Sequence, residues 1–328
     1  MSTGEFIDTV LLIALPASGK SEVRKFLRNL PTEARVRDFH VSDTAQLDDF
    51  PYVAFLAKVD EEREARGLAR AFYEFENGRF IVQEDWGLLL RLVSDDYHIL
   101  KNDLPTPPAD CLALFERIDG HRRDLGCPEV FSVMATEARA ELADAMKPAV
   151  EFLIEEQWGR RAGTVAGKTI VMECARGGAD GSTMPLDAPA GYAFSLANHR
   201  PEVLENAAVL YIKVTPEESR RKNKARYVPG MEDSDLHHSA PDVVMYNDYG
   251  CDDVAWLIEN AVKPNTIRLH AHGRDWDLPI AVFDNTDDKT TFLHAEVADW
   301  KPEHVKVVRD GLYGPMQGLW QAYQARKG

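Results

Sequence analysis

The chain has 328 residues, and its 54 acidic side chains outnumber its 38 lysines and arginines, which gives a net charge of −16 at pH 7. Nucleic acids and anionic membranes attract basic surfaces, so this balance argues against both as partners. Hydrophobic residues make up 45% of the chain and charged residues 28%, which is typical of a globular protein with a large core.

Cysteine spacing and hydropathy predict a cytoplasmic protein. The four cysteines lie far apart and form no C-x-x-C pair, which favours reduced thiols over a disulfide or zinc framework. The N-terminal residues lack the basic start and apolar run of a signal peptide, and no segment approaches the roughly 20 apolar residues of a membrane span. The oligomeric state stays open, and a homodimer is one outcome that the sequence allows.

Runs of β-branched, aromatic and other apolar residues predict buried strands. The predicted strands cover residues 9–14, 35–41, 168–174, 207–214 and 279–284. Helical patterns separate most of these segments. Alternation of strands and helices is typical of a parallel sheet, so we expect an α/β fold.

The first predicted strand is followed by a loop of small residues that begins at Ala14 and ends in Gly19-Lys20-Ser21, ahead of a segment with helical periodicity. A strand, a loop of this kind and a helix form a phosphate-binding P-loop, although Ala14 replaces the first glycine of the strict motif. Lys20 is then expected to contact the β- and γ-phosphates of ATP, and Ser21 to bind Mg²⁺. The predicted nucleotide-binding residues of this segment are Ala17, Ser18, Gly19, Lys20, Ser21 and Glu22.

The second predicted strand ends in His40-Val-Ser-Asp43, and Asp48 and Asp49 lie beyond it. In open α/β sheets, ligands bind beyond the carboxyl ends of the strands. Asp43 is therefore a candidate base for an acceptor hydroxyl and a candidate Mg²⁺ ligand. A simpler interpretation, in which Asp43 caps the next helix, is equally compatible with the sequence.

Residues 46–164 show mainly helical periodicity and are predicted to form a helical insertion between the second and third strands. The segment Leu104-Pro-Thr-Pro-Pro108 divides it in two. The core therefore comprises residues 1–45 and 165–295, and a C-terminal helical segment covers 296–328.

The third predicted strand ends in Glu173, and Arg176 follows three residues later. A carboxylate on the strand beside a P-loop can hold Mg²⁺ directly or through water, and a nearby arginine can bind a phosphate or a carboxylate of a substrate. Glu173 is thus a second candidate for the base and the metal ligand. The alternative is a glutamate that meets solvent at the edge of the sheet.

After the fourth predicted strand, Thr215, Pro216 and Glu218 form a capping box at the start of a helix. The cations that follow are Arg220, Arg221, Lys222, Lys224 and Arg226. Phosphoryl transfer needs positive charge around the transferred group, so we predict a basic lid over about residues 215–253, with Arg220, Arg221 and Arg226 as its catalytic arginines. A solvated helix face with ion pairs between successive turns is the alternative.

The last predicted strand ends in Asp284-Asn285, which we expect to lie over the nucleotide base or to form a turn. Together, the motifs resemble the P-loop kinases that act on nucleosides and nucleoside monophosphates. The resemblance covers residues 5–45 and 165–290. It implies a three-layer P-loop NTPase fold with a five-stranded parallel sheet and an acceptor-binding region in the helical insertion.

The resemblance also implies the activity: transfer of the γ-phosphoryl group of Mg-ATP to a nucleoside, a nucleotide or a similar metabolite. The expected catalytic residues are Lys20, Asp43, Glu173, Arg176, Arg220, Arg221 and Arg226, and the expected metal ligands are Ser21, Glu173 and Asp43. Two alternatives stay open, a nucleotide-driven switch or hydrolase and a protein that binds a nucleotide without turnover. The sequence does not identify the phosphate acceptor.

Overall fold

The structure, a computed structural model, describes residues 5–75, 77–159, 164–226 and 239–327. Its sheet has six strands, which are β1 Thr9–Ile13, β2 Thr44–Asp48, β3 Thr169–Cys174, β4 Ala207–Lys213, β5 Thr266–Ala271 and β6 Arg274–Asp284. They lie in the order β2-β3-β1-β4-β6-β5. Neighbouring strands pair in parallel, except that β5 pairs antiparallel with β6 at one edge. The protein therefore has an α/β fold with a mixed sheet.

Helices surround this sheet and form the insertion between β2 and β3. They are α1 Lys20–Arg28, α2 Thr32–Phe39, α3 Phe50–Ala65, α4 Asp85–Lys101, α5 Cys111–Asp124, α6 Thr136–Ala145, α7 Lys147–Ile154, α8 Gly191–Ala197, α9 Pro201–Asn206, α10 Pro216–Arg226, α11 Asp242–Asn247, α12 Val254–Glu259 and α13 Pro302–Lys327. A π-helical turn, Glu155–Gly159, follows α7, and two short 3₁₀ turns, Thr291–His294 and Val297–Asp299, precede α13.

The predicted strand over residues 35–41 is wrong, because most of this segment belongs to α2. Pro31 stands at the N-cap, and the residues that follow are mostly good helix formers such as glutamate, alanine and arginine. The helix ends where His40 adopts a left-handed conformation with φ of 54°. The true second strand, β2, begins only at Thr44.

The C-terminal edge of the sheet also differs from the prediction. The predicted strand 279–284 is the second half of β6, and the sequence analysis did not recognise β5, its hairpin partner. His272 and Gly273 join the two strands, with φ of 53° and 72°. Positive φ at both central residues is typical of a type I′ hairpin turn. The sheet therefore has six strands instead of the five expected.

Side chains of alternate strand residues enter two different cores. On one face, Leu11 and Val209 pack with the helices of the insertion, including Leu92 of α4. On the other face, Leu12 and Leu312 of α13 belong to a second core. The predicted C-terminal helix thus covers one face of the sheet, and the predicted insertion covers the other. Among the described residues, no helix combines the length and the apolar character needed to cross a bilayer.

Candidate functional site

The carboxyl ends of three neighbouring strands meet at one edge of the sheet. Ile13 at the end of β1 pairs with Cys174 at the end of β3, and Asp48 at the end of β2 pairs with Glu173. The loop of residues 14–21 follows β1 directly. This edge therefore brings the predicted phosphate loop next to strand-end carboxylates, as expected for an open α/β sheet.

The loop of residues 14–21 has a backbone suited to an anion. Ala17 and Gly19 have φ of 55° and 104°, and α1 begins at Lys20. Alternation of left-handed and right-handed residues turns successive N–H groups toward one point, and the N-terminus of α1 adds its positive dipole end. The Ser18 side-chain oxygen is buried without a hydrogen-bond partner. The loop geometry therefore fits a phosphate group.

Three side chains from other parts of the chain hold this loop. Asn285 donates from Nδ2 to the carbonyl oxygen of Ser18 at 2.8 Å. Tyr192 donates from its hydroxyl to the carbonyl of Ala14 at 2.9 Å, and Ser219 of α10 donates to the carbonyl of Pro16 at 2.7 Å. Asn285 was predicted to face the nucleotide base, but it is fully buried and supports the loop instead.

A cleft opens beside this loop, with an empty volume of about 1150 Å³ that includes open solvent. Its lining residues come from the loop, from the ends of β2 and β3, from the insertion, from α10, and from α11 and the residues on either side of it. They are Pro16, Ala17, Ser18, Lys20, Ser21, Asp48, Asp49, Phe50, Val53, Tyr73, Gly78, Trp86, Glu173, Cys174, Ala175, Arg176, Asn223, Ala240, Pro241, Val244 and Tyr249. Lys20 and Ser21 thus share one cleft with three carboxylates and one arginine.

The carboxylates at the cleft are Asp48, Asp49 and Glu173. Glu173 forms an ion pair with Arg24 of α1, and only 6% of its side chain is exposed. Asp48 lies between β2 and α3, where its Oδ1 accepts a hydrogen bond from the backbone N–H of Phe50 at 2.9 Å. Glu173 therefore keeps its predicted place in the cleft, with Arg24 as a partner that the sequence did not reveal.

Asp43 does not line the cleft, so the prediction that it is the base and a metal ligand is wrong. It precedes β2, so it lies at the opposite end of the strand from Asp48, roughly 16 Å away at 3.3 Å per residue. Its side chain is 63% exposed and pairs with Arg35 of α2. The error follows directly from the misplaced second strand.

A buried network of side chains fixes the end of β2 at the edge of the sheet. Gln157, in the π-helical turn after α7, donates from its amide nitrogen Nε2 to the backbone carbonyl of Asp48 at 2.8 Å and to Oδ2 of Asp96 at 3.2 Å. Tyr52 also donates to Asp96, at 2.6 Å. Because β2 is an edge strand, this side-chain network takes the place of a neighbouring strand beside Asp48.

Arg176 is buried beside these carboxylates. Its Nη2 lies 2.7 Å from Asp49 Oδ2, and its guanidinium group lies 4.9 Å from the centre of the Trp86 ring. Burial lowers the pKa of Arg176, but the charge of Asp49 and its hydrogen bond, together with Cys174 and Tyr249, outweigh burial, so the pKa lies above its usual value. Burial also raises the pKa of the Cys174 thiol to about 12, so that Cys174 stays protonated at neutral pH.

Aromatic side chains of the insertion and of the segment after α11 form the remaining wall. Trp86 and Tyr249 pack edge to face, with ring centres 5.6 Å apart, and Tyr73 lines the same cleft. Outside the lining, Arg79 and Asp248 join the two segments through hydrogen bonds of 2.8 and 3.0 Å. The insertion and the predicted lid region therefore meet over the cleft.

The two predicted lid arginines whose side chains the structure describes, Arg220 and Arg221, do not line the cleft. Arg220 lies 4.5 Å from the centre of the Tyr246 ring, and Arg221 pairs with Glu218 at 2.7 Å. Their helix, α10, forms as predicted, but these side chains face acidic and aromatic neighbours. The side chain of Arg226 and residues 227–238, which include His237 and His238, lie outside the described residues.

Glu22 and Asp284, which are also predicted to contact the nucleotide, are not among the residues that line the cleft. Glu22 contacts His294 at 2.7 Å between Oε1 and Nε2. Asp284 accepts hydrogen bonds from the backbone and the side chain of Thr286, which hold its pKa below the usual value. These contacts agree with the turn interpretation of the Asp284-Asn285 loop.

Within the four described ranges, no group of three or more histidine, cysteine, aspartate or glutamate side chains is arranged to hold a metal ion. Mg²⁺ that arrives with a nucleotide needs fewer protein ligands, because the phosphates and water supply most of its coordination. Ser21 and Asp48 are two lining residues with side-chain oxygens of the kind that bind such an ion. Glu173, the predicted ligand, pairs with Arg24.

Comparisons with other proteins add nothing to these observations. No family model, no curated protein and no solved structure matches the chain. The chemistry of the cleft side chains is therefore the basis for a function.

Several cleft residues were missed at the level of sequence. They are Asp48, Asp49, Tyr73, Trp86, Asn223 and Tyr249. A signal for the first two exists, since Asp48 and Asp49 stand between the short run 44–47 and the Phe50-Pro51 start of α3. The aromatic residues carry no comparable signal, because large apolar side chains usually belong to the core.

Proposed function

We propose that the protein is an ATP-dependent phosphotransferase, which moves the γ-phosphoryl group of Mg-ATP to a hydroxyl group of a small molecule. One observation carries this proposal: Lys20 and Ser21 share a single cleft with Asp48 at the end of β2 and with Arg176, two residues after β3. A phosphate site beside a carboxylate and an aromatic-walled space provides places for both a donor and an acceptor.

The architecture supports a P-loop kinase more than an unrelated α/β protein. The parallel strands lie in the order β2-β3-β1-β4-β6, and the loop of residues 14–21 follows the central strand β1. This order places the ends of β3 and β2 on one side of the loop, where a kinase needs its acceptor groups. The antiparallel strand β5 adds only an outer edge.

The nucleotide side of the proposed reaction relies on fixed positive groups. The backbone N–H groups of residues 17–21 and the Lys20 ammonium group bind the β- and γ-phosphates and stabilise the charge of the transferred group. Mg²⁺ bound to these phosphates would neutralise further charge, with Ser21 and Asp48 as protein groups in reach of it. Catalysis in this scheme comes from positioning and electrostatics.

On the acceptor side, we assign the general base to Asp48 in place of Asp43 and Glu173. Asp48 lines the cleft at the end of β2, and β2 lies one strand further from β1 and its loop than β3, which carries Glu173. The acceptor oxygen forms a bond to the γ-phosphorus, the bond from that phosphorus to the ADP oxygen breaks, and the hydroxyl proton passes to Asp48. Arg176, oriented by Asp49, contacts the acceptor.

The test is Mg²⁺-dependent ADP release from ATP in the presence of a panel of alcohols, nucleosides, nucleotides and sugars. We expect one class of acceptor to raise the rate well above the background without acceptor. Lys20→Ala should lower the acceptor-dependent rate by about 100-fold or more, because it removes charge that the transferred phosphoryl group needs.

The matched control is Lys147→Ala, since the Lys147 side chain is 66% exposed and pairs with Asp144 away from the cleft. Full turnover in Lys20→Ala would refute the nucleotide assignment. A uniform rate with every acceptor would favour a hydrolase or switch, and ATP binding without turnover would favour a binding protein.

A further inference from the structure

The pairing of β1 with β3 ends just before the cleft. Within the pair, the N–H of Ile170 donates to the carbonyl of Asp8 at 2.9 Å. In a parallel pair, bonds of this kind recur every two residues along each strand. Continued past the strand ends, the series would join the N–H of Arg176 to the carbonyl of Ala14. These two residues lie where the loop of residues 14–21 and the segment after β3 begin.

The hydroxyl of Tyr192 occupies the place of that bond. It accepts a hydrogen bond from the N–H of Arg176 at 3.1 Å and donates one to the carbonyl of Ala14 at 2.9 Å. The carbonyl of Cys174, at 3.5 Å, is a more distant acceptor for the same proton. Burial raises the pKa of Tyr192 well above its usual value, so the hydroxyl keeps the proton that it donates. A side-chain oxygen thus stands between two backbone groups that would otherwise pair directly.

Tyr192 is held firmly in this position. It is fully buried at the start of α8. The carboxylate of Asp253 accepts hydrogen bonds from the backbone N–H groups of Tyr192 and Ala193 at 2.6 and 3.0 Å. Gly191 has φ of 78°, and a Cβ at this position would lie 2.7 Å from Oδ2 of Asp253, so the close approach requires glycine. The hydroxyl therefore cannot move without breaking the contacts of this turn.

The two segments that Tyr192 separates carry different parts of the proposed site. The loop that begins at Ala14 carries Lys20, and Arg176 lines the same cleft from the segment after β3. A direct bond between the two backbone groups needs about 2.9 Å between nitrogen and oxygen, whereas a bridging hydroxyl holds them further apart. Because transfer between two bound molecules depends on their alignment, a displacement of about 1 Å can lower the rate about 100-fold. The spacing of these segments therefore matters to the proposed reaction.

From these observations we propose that Tyr192 is a positioning residue. Its hydroxyl separates the phosphate loop from the segment of Arg176 and thereby sets the distance between the bound nucleotide and the acceptor. Tyr192 is not among the residues that line the cleft, so it acts through the backbone of Ala14 and Arg176. The inference rests on the proposed function and adds a residue that contacts neither substrate.

Tyr192→Phe removes the bridging oxygen and keeps the ring. We expect kcat for the preferred acceptor to fall about tenfold or more, because the two segments move together and the reacting groups lose their alignment. KM for ATP should change about threefold or less, since Ser219 and Asn285 still hold the loop. The measurement is steady-state kinetics of ADP release, with the concentrations of ATP and of the acceptor varied separately.

Tyr97→Phe is the matched control at the opposite end of β1. Tyr97 is also fully buried, and its hydroxyl lies 3.0 Å from Oγ1 of Thr9, the first residue of the strand. Each variant loses one hydroxyl from a buried hydrogen bond, so both should shift the midpoint of urea unfolding by a similar amount. Only Tyr192→Phe should lower kcat. Equal kcat values in the two variants would refute the positioning role.

Crystal structures of the wild type and of both variants test the bridge itself without any assumption about turnover. In Tyr192→Phe, the backbone nitrogen of Arg176 should come within about 3.0 Å of the carbonyl oxygen of Ala14, and so form the bond that the hydroxyl prevents. In Tyr97→Phe, the gap should stay as in the wild type. A gap that remains open in Tyr192→Phe, with or without a water molecule in it, would contradict the proposal.

The kinetic and structural measurements together separate this inference from the proposed function. If no acceptor raises ADP release but the gap closes in Tyr192→Phe, the phosphotransferase proposal fails, and the hydroxyl still sets the spacing of the two segments. If ADP release depends on an acceptor and Tyr192→Phe keeps its kcat, the proposed function stands and the positioning role is wrong.

A second variant serves if Tyr192→Phe does not fold. Asp253→Asn leaves the hydroxyl in place but weakens the hydrogen bonds that hold the backbone of Tyr192 and Ala193. It should lower kcat with little change in KM for ATP. An unchanged kcat in the folded Asp253→Asn variant would overturn the inference.

Discussion

At the scale of single residues, the position of Asp48 carries the proposed chemistry. It lies at the carboxyl end of β2, beside Glu173 on β3, and Gln157 holds its carbonyl oxygen. Asp43 is chemically the same side chain, but it lies at the other end of the strand and pairs with Arg35. Position along one strand therefore separates a candidate base from a structural carboxylate.

We expect Asp48→Asn to lower kcat for the preferred acceptor by about 100-fold or more, because the amide cannot take up the hydroxyl proton. KM should change much less, since asparagine keeps the size of the side chain. The check is steady-state kinetics of ADP release over a range of acceptor concentrations.

The control for that variant is the same substitution at the other end of β2. Asp43→Asn should keep kcat and lose some stability, because Arg35, whose side chain is 4% exposed, loses its carboxylate partner. If both variants fold and lose kcat to a similar degree, the loss in Asp48→Asn does not identify Asp48 as the base.

At the scale of helices and strands, the sequence predicted those parts of the site that depend on local motifs. The loop of residues 14–21 was predicted correctly in its strand-loop-helix setting, because that motif is local and needs particular small residues. The residues that support it, Asn285 and Ser219, come from distant elements and were assigned to other roles or to none. Contacts between residues so far apart in the chain produce no local sequence pattern from which they could be predicted.

The misplaced second strand has an equally physical origin. In β2 only Leu47 is buried, since this short strand lies at the edge of the sheet. An edge strand of this kind lacks the apolar alternation on which strand prediction depends. The segment 35–41 looked more strand-like, but tertiary packing and the Pro31 start favour the helix. One wrong strand then moved the predicted base from Asp48 to Asp43.

Support of the loop by Asn285 leads to a prediction at the same scale. Asn285→Ala removes hydrogen bonds to the Ser18 carbonyl and to Thr290, both in a fully buried setting. We expect about 1–3 kcal/mol less stability, measured by urea unfolding, because buried groups lose their partners. ATP affinity, measured by calorimetry, should also fall, since the carbonyl of Ser18 is no longer held.

Asn260→Ala is the matched control, because the exposed Asn260 side chain only donates to a carbonyl of its own helix. It should leave both the stability and the ATP affinity nearly unchanged. If Asn285→Ala lost stability but bound ATP as tightly as the wild type, the loop would hold its shape without this support.

At the scale of the whole molecule, one sheet joins the helical insertion to the C-terminal helix. The insertion has no core of its own, since Leu92 packs in the same cluster as the sheet residues Leu11 and Val209. Leu312 of α13 packs with Leu12 and belongs to the core on the opposite face. Because Leu11 and Leu12 are consecutive residues of β1, strands of a single sheet form part of both cores.

This arrangement predicts that the two faces unfold together. Leu92→Ala and Leu312→Ala each remove a fully buried leucine, so each should lower the free energy of unfolding by about 2–5 kcal/mol. Both should shift the same transition, followed in urea by far-ultraviolet circular dichroism and by tryptophan fluorescence. Leu112→Ala is the matched control, since Leu112 is 42% exposed and should cost about 0.5 kcal/mol or less. A transition that splits in two, with Leu92→Ala moving one part and Leu312→Ala the other, would show that the insertion unfolds independently of the sheet that carries the site.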